Sequence, residues 1–207
     1  MKIQHTTIAA LVLLAFSKTL VAAQEKNKSY NLSQNDSMRN VFMDGRAKFF
    51  DERLNQAFPL LGLRKTIHNE VYDFDKTGRC MMIEFGFSNC APCRVQLPGF
   101  LALSNDRQYA NVDFIYISYD DSATIMKDIT TLYHGPYNHV KILSIDRSYF
   151  FDRNNPTLTY GFPTTYFIDD NRIVKSIKIG GRPEASKSVK EELMNTWTSQ
   201  LDSLSCF

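Results

Sequence analysis

The sequence predicts an α/β domain of three layers, with helices packed on a central sheet. Three observations lead to this. Residues 80–87 are an apolar run that passes directly into a helical pattern. Further strand and helix patterns alternate after it. The chain then closes with two strand patterns around a tight turn and one long amphipathic helix.

Residues 1–23 read as a secretory signal peptide. Lys2 gives the positive start, Ile8 to Phe16 is a short apolar core, and Val21-Ala-Ala23 is a small-residue cleavage site. The apolar core is too short to span a bilayer, and no cysteine follows Ala23 to carry a lipid. The expectation is an exported chain, periplasmic or secreted, with no stable membrane insertion unless the signal stays uncleaved. The whole chain has 24 Lys+Arg against 22 Asp+Glu, and the signal holds only Lys2 and Lys18 of these, so the remainder is neutral. Nothing in that balance calls for nucleic acid. With 43% hydrophobic residues the chain can build a core without relying on disulfide staples.

Residues 24–40 are polar and read as a linker. Residues 41–61 have helical apolar spacing, ended by Pro59 and Gly62, and suit a helix covering an edge or face of the main domain. Residues 24–66 therefore form a linker with an N-terminal helical extension, and 67–207 the main domain. Within that domain, residues 70–74 read as a strand and Asp75-Lys-Thr-Gly78 as a turn. After the strand at 80–87, Val95, Leu97, Phe100, Leu101 and Leu103 mark a helix. Asn111 to Tyr119 is another buried strand. Asp120 and Asp121 begin a helix with Ile125, Met126, Ile129, Leu132 and Tyr133 on its apolar face. His134 to His139 is loop, and Val140 to Ile145 a short strand. Thr164–Asp169 and Arg172–Ile179 make a hairpin around Asp170-Asn171. Pro183 opens the last helix, striped by Val189, Leu193, Trp197, Leu201 and Leu204.

Cys90-Ala-Pro-Cys93 stands where the strand at 80–87 gives way to the helix. The free N–H groups and dipole of a helix start favour a thiolate, and a second thiol two residues on can close a disulfide with it. Such a pair is a reversible two-electron switch. As a staple it would enclose too short a loop to stabilise much. A zinc site would need a second Cys-x-x-Cys or a His pair at zinc-ligand spacing from this one, and neither is present. Cys80 and Cys206 are left over. They suggest a staple, but connectivity cannot be read from sequence. We expect Cys80 to act as a small buried apolar residue and Cys206 to lie at a frayed end, leaving two titratable thiols in the oxidised protein.

Phe85-Gly-Phe-Ser-Asn-Cys90-Ala-Pro-Cys93-Arg resembles the active-site segment of thioredoxin-fold proteins, and Pro98 falls where thioredoxins kink the following helix. Tyr160-Gly-Phe-Pro163-Thr-Thr-Tyr-Phe-Ile-Asp169 is similar to the cis-proline loop and next strand of that fold. The match is closest to the extracytoplasmic TlpA/ResA-like branch and covers roughly residues 67–207. The resemblance implies a thioredoxin-like fold with a mixed sheet and an inserted strand and helix, the insertion including residues 144–159. It also implies a protein-disulfide oxidoreductase that needs no cofactor and no metal. Its partners would be protein thiols or disulfides and an upstream electron-donor protein.

By the same resemblance Cys90 is the attacking thiolate and Cys93 the resolving thiol. Glu84 is the buried acid that exchanges a proton with Cys93. Its usual lysine partner is replaced by Tyr116, which could hydrogen-bond the neutral acid. Pro163 would follow a cis peptide bond and leave the Phe162 backbone free to pair with substrate. Asn89, Ala91 and Pro92 complete the substrate surface. Asn89 replaces a thioredoxin Trp, Gly86-Phe87 replaces Trp-Ala, and Gln96 stands where many TlpA-like proteins have Glu. Pro92 and Glu84 favour a reductant. The alternatives are a disulfide-forming oxidant, and a metal-binding or chaperone protein on the same fold. For copper, His134 and His139 invite attention, but copper-binding relatives space their cysteines by three residues rather than two.

Overall fold

The computed structural model describes residues 39–59, 61–75, 78–147, 158–204 and 206. The signal peptide, most of the linker, and residues 148–157 of the expected insertion lie outside them. The chain divides into two compact units, Met1–Lys48 and Phe49–Phe207. Residues 39–51 are helical (α1). The sheet, its covering helices and the cysteine pair belong to the second unit.

The central sheet has five strands in the order β5-β4-β3-β6-β7. They are β3 (Cys80–Phe85), β4 (Val112–Ser118), β5 (Val140–Ser144), β6 (Thr164–Ile168) and β7 (Val174–Ile179). β3 runs parallel to β4 and β4 to β5, whereas β6 is antiparallel to both β3 and β7. The sheet is mixed, as the resemblance implied. β3 sits at its centre with all six residues buried, which explains why its sequence, Glu84 apart, is apolar rather than alternating.

Alternation along β3 separates two cores. Cys80 and Met82 point to one face, with Leu97, Phe100 and Leu101 of α2 (Ala91–Ser104), Ile125 and Ile129 of α3 (Ser122–Leu132), and Trp197 and Leu201 of α4 (Lys187–Asp202). Met81, Ile83 and Phe85 point to the other, where Phe49, Phe58, Leu61, Tyr72 and Phe74 cover them. That second cover includes a small antiparallel pair, β1 (Leu63–Lys65) and β2 (Val71–Asp73). β1 is absent from the sequence reading, being three residues long with only Arg64 turned toward shelter.

Two element boundaries differ from expectation. The helix expected over 41–61 stops at residue 51, and Asn55 turns the chain with φ of 61°. From there the backbone pairs with the start of β7, through Asn55 N–H to Val174 O at 2.9 Å and Phe58 N–H to Arg172 O at 2.7 Å. Pairing to that edge satisfies the same groups a longer helix would have used. The last helix starts at Lys187, not Pro183, because Ser186 caps it by accepting from Val189 N–H at 3.3 Å.

The expectation of two free thiols is corrected. Cys80 and Cys206 form a disulfide across 126 residues, with Cα atoms 6.0 Å apart. The carboxyl end of α4 packs Leu201 and Leu204 into the core that holds Cys80, which brings Cys206 to the start of β3. A loop this long loses much chain entropy when closed. Cys206→Ser should therefore lower stability by about 2–4 kcal/mol in a denaturant titration. Thiol titration of the unfolded, unreduced protein should find no free thiol; two would restore the original expectation.

Candidate active site

β3 leaves the sheet at Phe85, and Gly86 N–H extends its ladder by one bond to Ile117 O at 3.1 Å. Glycine is needed there because a Cβ would come 2.7 Å from the Tyr116 hydroxyl. Phe87 to Cys90 is a tight turn, closed by Cys90 N–H to Phe87 O at 3.1 Å. The turn is held from the side by Asp120, whose carboxylate accepts from Ser88 N–H at 2.7 Å and from the Ser118 hydroxyl at 3.0 Å.

Cys90 is the N-cap of α2, in extended conformation, and its sulfur accepts from Cys93 N–H at 3.2 Å. Pro92 falls in the first helical turn, where a missing N–H costs nothing. Cys90 and Cys93 are disulfide-bonded, with Cα atoms 5.2 Å apart. Cys90 is 7% exposed and Cys93 only 1%, so an incoming sulfur reaches Cys90 first. Asn89 and Ala91 flank it in the open and Pro92 is half-buried. Arg94, just after the pair, ties α2 to α3 through Asp128 at 2.8 Å.

Glu84 lies one residue before the end of β3, with 0% exposure. Strand alternation points it to the face that α2 covers, the face of Cys80 and Met82. Neither carboxyl oxygen has a hydrogen-bond partner among the described residues. Burial without a partner pushes its pKa up to about 8. Tyr116 is its register neighbour on β4, as the resemblance implied. The expected hydrogen bond is not made, because the phenol reaches along the sheet to Gly86 instead. Burial, and then the Glu84 charge, hold Tyr116 well above the usual phenol range.

The Phe162–Pro163 peptide bond is cis. Pairing of Phe85 with Thr164 puts the chain just before β6 at the same end of the sheet as the cysteine turn. Phe162 meets the turn directly, edge-on to Phe87 with ring centroids 5.1 Å apart, and Tyr119 stacks on Phe87 at 5.1 Å. Behind Pro163, its carbonyl accepts from Gly180 N–H at 2.7 Å, and Gly180 O in turn accepts from the Gln96 amide at 3.4 Å. Gln96 is buried, so the residue that departs from the TlpA-like pattern serves here as a tie between α2 and the loop after β7.

The structure thus brings together Cys90, Cys93, Ala91, Pro92 and Asn89 in one turn, sets Phe162 against Phe87 of that turn, and sets Pro163 one residue beyond the sheet. Glu84 stands on the covered face beneath α2. Sequence reasoning missed Asp120 and the bridging of Gln96. Asp120 had one signal: it is an acid just past a parallel strand adjacent to the strand that ends in the cysteine turn, and such strand ends gather functional groups. The sequence pattern makes it part of a helix start, but Asp121 alone is the cap of α3.

No protein-family model and no curated protein matches this chain. Solved structures do. The thioredoxin domain of a thiol-disulfide oxidoreductase from Bacteroides vulgatus is similar at 15% identity and a TM-score of 0.54, over 72% of this chain and 97% of that one. A thiol:disulfide interchange protein from a Bacteroides species is 14% identical with a TM-score of 0.54, over 73% and 92%. A secreted disulfide oxidoreductase of Mycobacterium tuberculosis is 16% identical with a TM-score of 0.51, over 74% and 99%. The fold is that of thioredoxin.

Proposed function

We propose that this thioredoxin-fold chain is an exported thiol–disulfide oxidoreductase that reduces protein disulfides through Cys90 and Cys93. The observation that carries the reading is the asymmetry of the pair. A disulfide joins a helix-capping cysteine that keeps 7% exposure to one a single turn along that keeps 1%, and a buried acid stands on the sheet face beneath. Attack by Cys90 on a substrate disulfide breaks that S–S bond and forms a mixed disulfide. Attack by Cys93 on Cys90 then releases the substrate as a dithiol and leaves the Cys90–Cys93 bridge. Phe162, Pro163, Asn89, Ala91 and Pro92 are the surface that meets the substrate backbone. A dithiol protein upstream must return two electrons to the pair.

Export is supported by the signal-like residues 1–23 and by the Cys80–Cys206 bridge, which suits an oxidising compartment. No helix among the described residues is long and apolar enough to cross a membrane. Glu84 and Pro92 support the reducing direction. Equilibration with dithiothreitol or glutathione buffers tests it, and a potential below about −200 mV is expected. A value near about −120 mV would make the protein an oxidant instead.

A further inference from the structure

The turn that presents Cys90 is not held only by its own backbone. Asp120 reaches across from the end of β4 and takes the Ser88 N–H at 2.7 Å, in a turn whose last residue is Cys90. The carboxylate is itself fixed by the Ser118 hydroxyl at 3.0 Å, and Ser118 is fully buried. Asp120 N–H returns a bond to Ser118 Oγ at 3.1 Å, and Ser144 Oγ donates to Asp120 O at 2.6 Å. Four bonds therefore hold one acid beside the cysteine turn, far more than a surface aspartate needs.

We infer that Asp120 is a positioning residue that also sets the redox poise of the pair, its negative charge disfavouring the Cys90 thiolate and so keeping the dithiol a reductant. The inference rests on the exchange function proposed for Cys90 and Cys93. The span of a four-residue turn puts the carboxylate on the order of 10 Å or less from the Cys90 sulfur. At that separation two like charges at a protein surface change an equilibrium about threefold to tenfold. Of the other charged groups around the turn, Arg94 is committed to Asp128 and Asp121 to the cap of α3, while Arg147, over the Tyr119 ring, opposes the Asp120 charge there in part. Glu84 and Tyr116 lie buried beneath the turn. The Asp120 charge also raises Tyr116, after burial and the Glu84 charge, and Tyr119, after burial, so its field reaches both sides of the turn.

The chemistry balances within the pair. Reduction of Cys90–Cys93 by two glutathione molecules breaks that S–S bond, forms glutathione disulfide, and places two electrons and two protons on the cysteines. Any proton lost from Cys90 as thiolate favours the reduced side. Removing a nearby negative charge should thus make the bridge easier to reduce.

Asp120→Asn keeps an oxygen to accept from Ser88 N–H and removes the charge, so a purely structural role predicts little change. The expected result, at low salt where screening is weak, is iodoacetamide labelling of reduced Cys90 at pH 7 about threefold to tenfold faster. Its labelling midpoint should fall, and the equilibrium with glutathione should shift toward the dithiol by up to about tenfold, or about 30 mV. High salt should narrow the difference. Asp120→Ser, also neutral and able to accept, should behave alike and serves if the first variant does not fold. Wild-type labelling rate, midpoint and potential in both folded variants would overturn the inference while leaving the exchange function intact. A wild-type bridge that does not exchange with glutathione at all would instead remove the exchange function itself.

Discussion

Cys93→Ser is expected to convert the protein from a turnover catalyst into a trap. The substrate disulfide is still attacked by Cys90, whose capping position offers the thiolate the free N–H of Cys93 at 3.2 Å and the dipole of α2. With no second thiol the mixed disulfide persists, and partner proteins should be recovered as adducts that a reductant releases. Cys90→Ser should recover none, because Cys93 is almost wholly buried. Both variants should lose turnover of a disulfide substrate such as insulin by more than about a thousandfold, as expected when one member of an obligate pair is removed. Iodoacetamide should label Cys90 of the reduced wild type well ahead of Cys93. Equal labelling of the two, with no adduct from Cys93→Ser, would mean that the pair is structural.

Glu84→Gln should produce the second large effect, visible in both rate and stability. For the rate, the proposed role has Cys93 give up a proton to the Glu84 carboxyl before it resolves the mixed disulfide, and a pKa of about 8 suits that carboxyl to the transfer. The variant should reduce disulfides about ten- to a hundredfold more slowly at neutral pH, and should lose the rise in rate that the wild type shows up to about pH 8. For stability, the folded carboxyl titrates above its unfolded value, so the fold holds a proton that the unfolded chain gives up. The wild type should be most stable below the ordinary carboxylate range and lose roughly 3–5 kcal/mol as pH rises to about 8, with no further change from this group above that. The glutamine variant should lack this slope and be the more stable protein at pH 8. Denaturant titrations at pH 5 and pH 8 would show it. An unchanged rate with lowered stability at both pH values would reduce Glu84 to a packing residue.

What the sequence revealed were the features written in consecutive residues. The largely apolar run at 80–85, the switch to helical spacing in α2, the hairpin after Pro163 and the capping aspartate of α3 are all local patterns. Glu84 could be read as buried because Ile83 and Phe85 beside it have nowhere else to go. The features that escaped depend on partners far along the chain. Ser88 and Asp120 are 32 residues apart, Gln96 and Gly180 are 84 apart, and no periodicity links them. The stretch at 55–58 read as helix because its apolar spacing allows one, yet an open strand edge offered its backbone better-placed partners. Tyr116 stands where the resemblance puts it but does not make the expected bond, since the space left by Gly86 decides where the ring goes.

The bridge from Cys80 to Cys206 also sets an order of events during synthesis. Cys80, Cys90 and Cys93 emerge within 14 residues of one another, whereas Cys206 follows more than a hundred residues later. If the chain is exported as proposed, it enters an oxidising compartment amino end first, and the three early thiols meet before the fourth exists there. Four cysteines allow three complete pairings, and only the native one joins Cys90 to Cys93 and leaves Cys80 waiting. Native pairing is thus protected by proximity at the active turn and exposed to error at Cys80. A newly made chain depends on its carboxyl end arriving before Cys80 is captured by a neighbour.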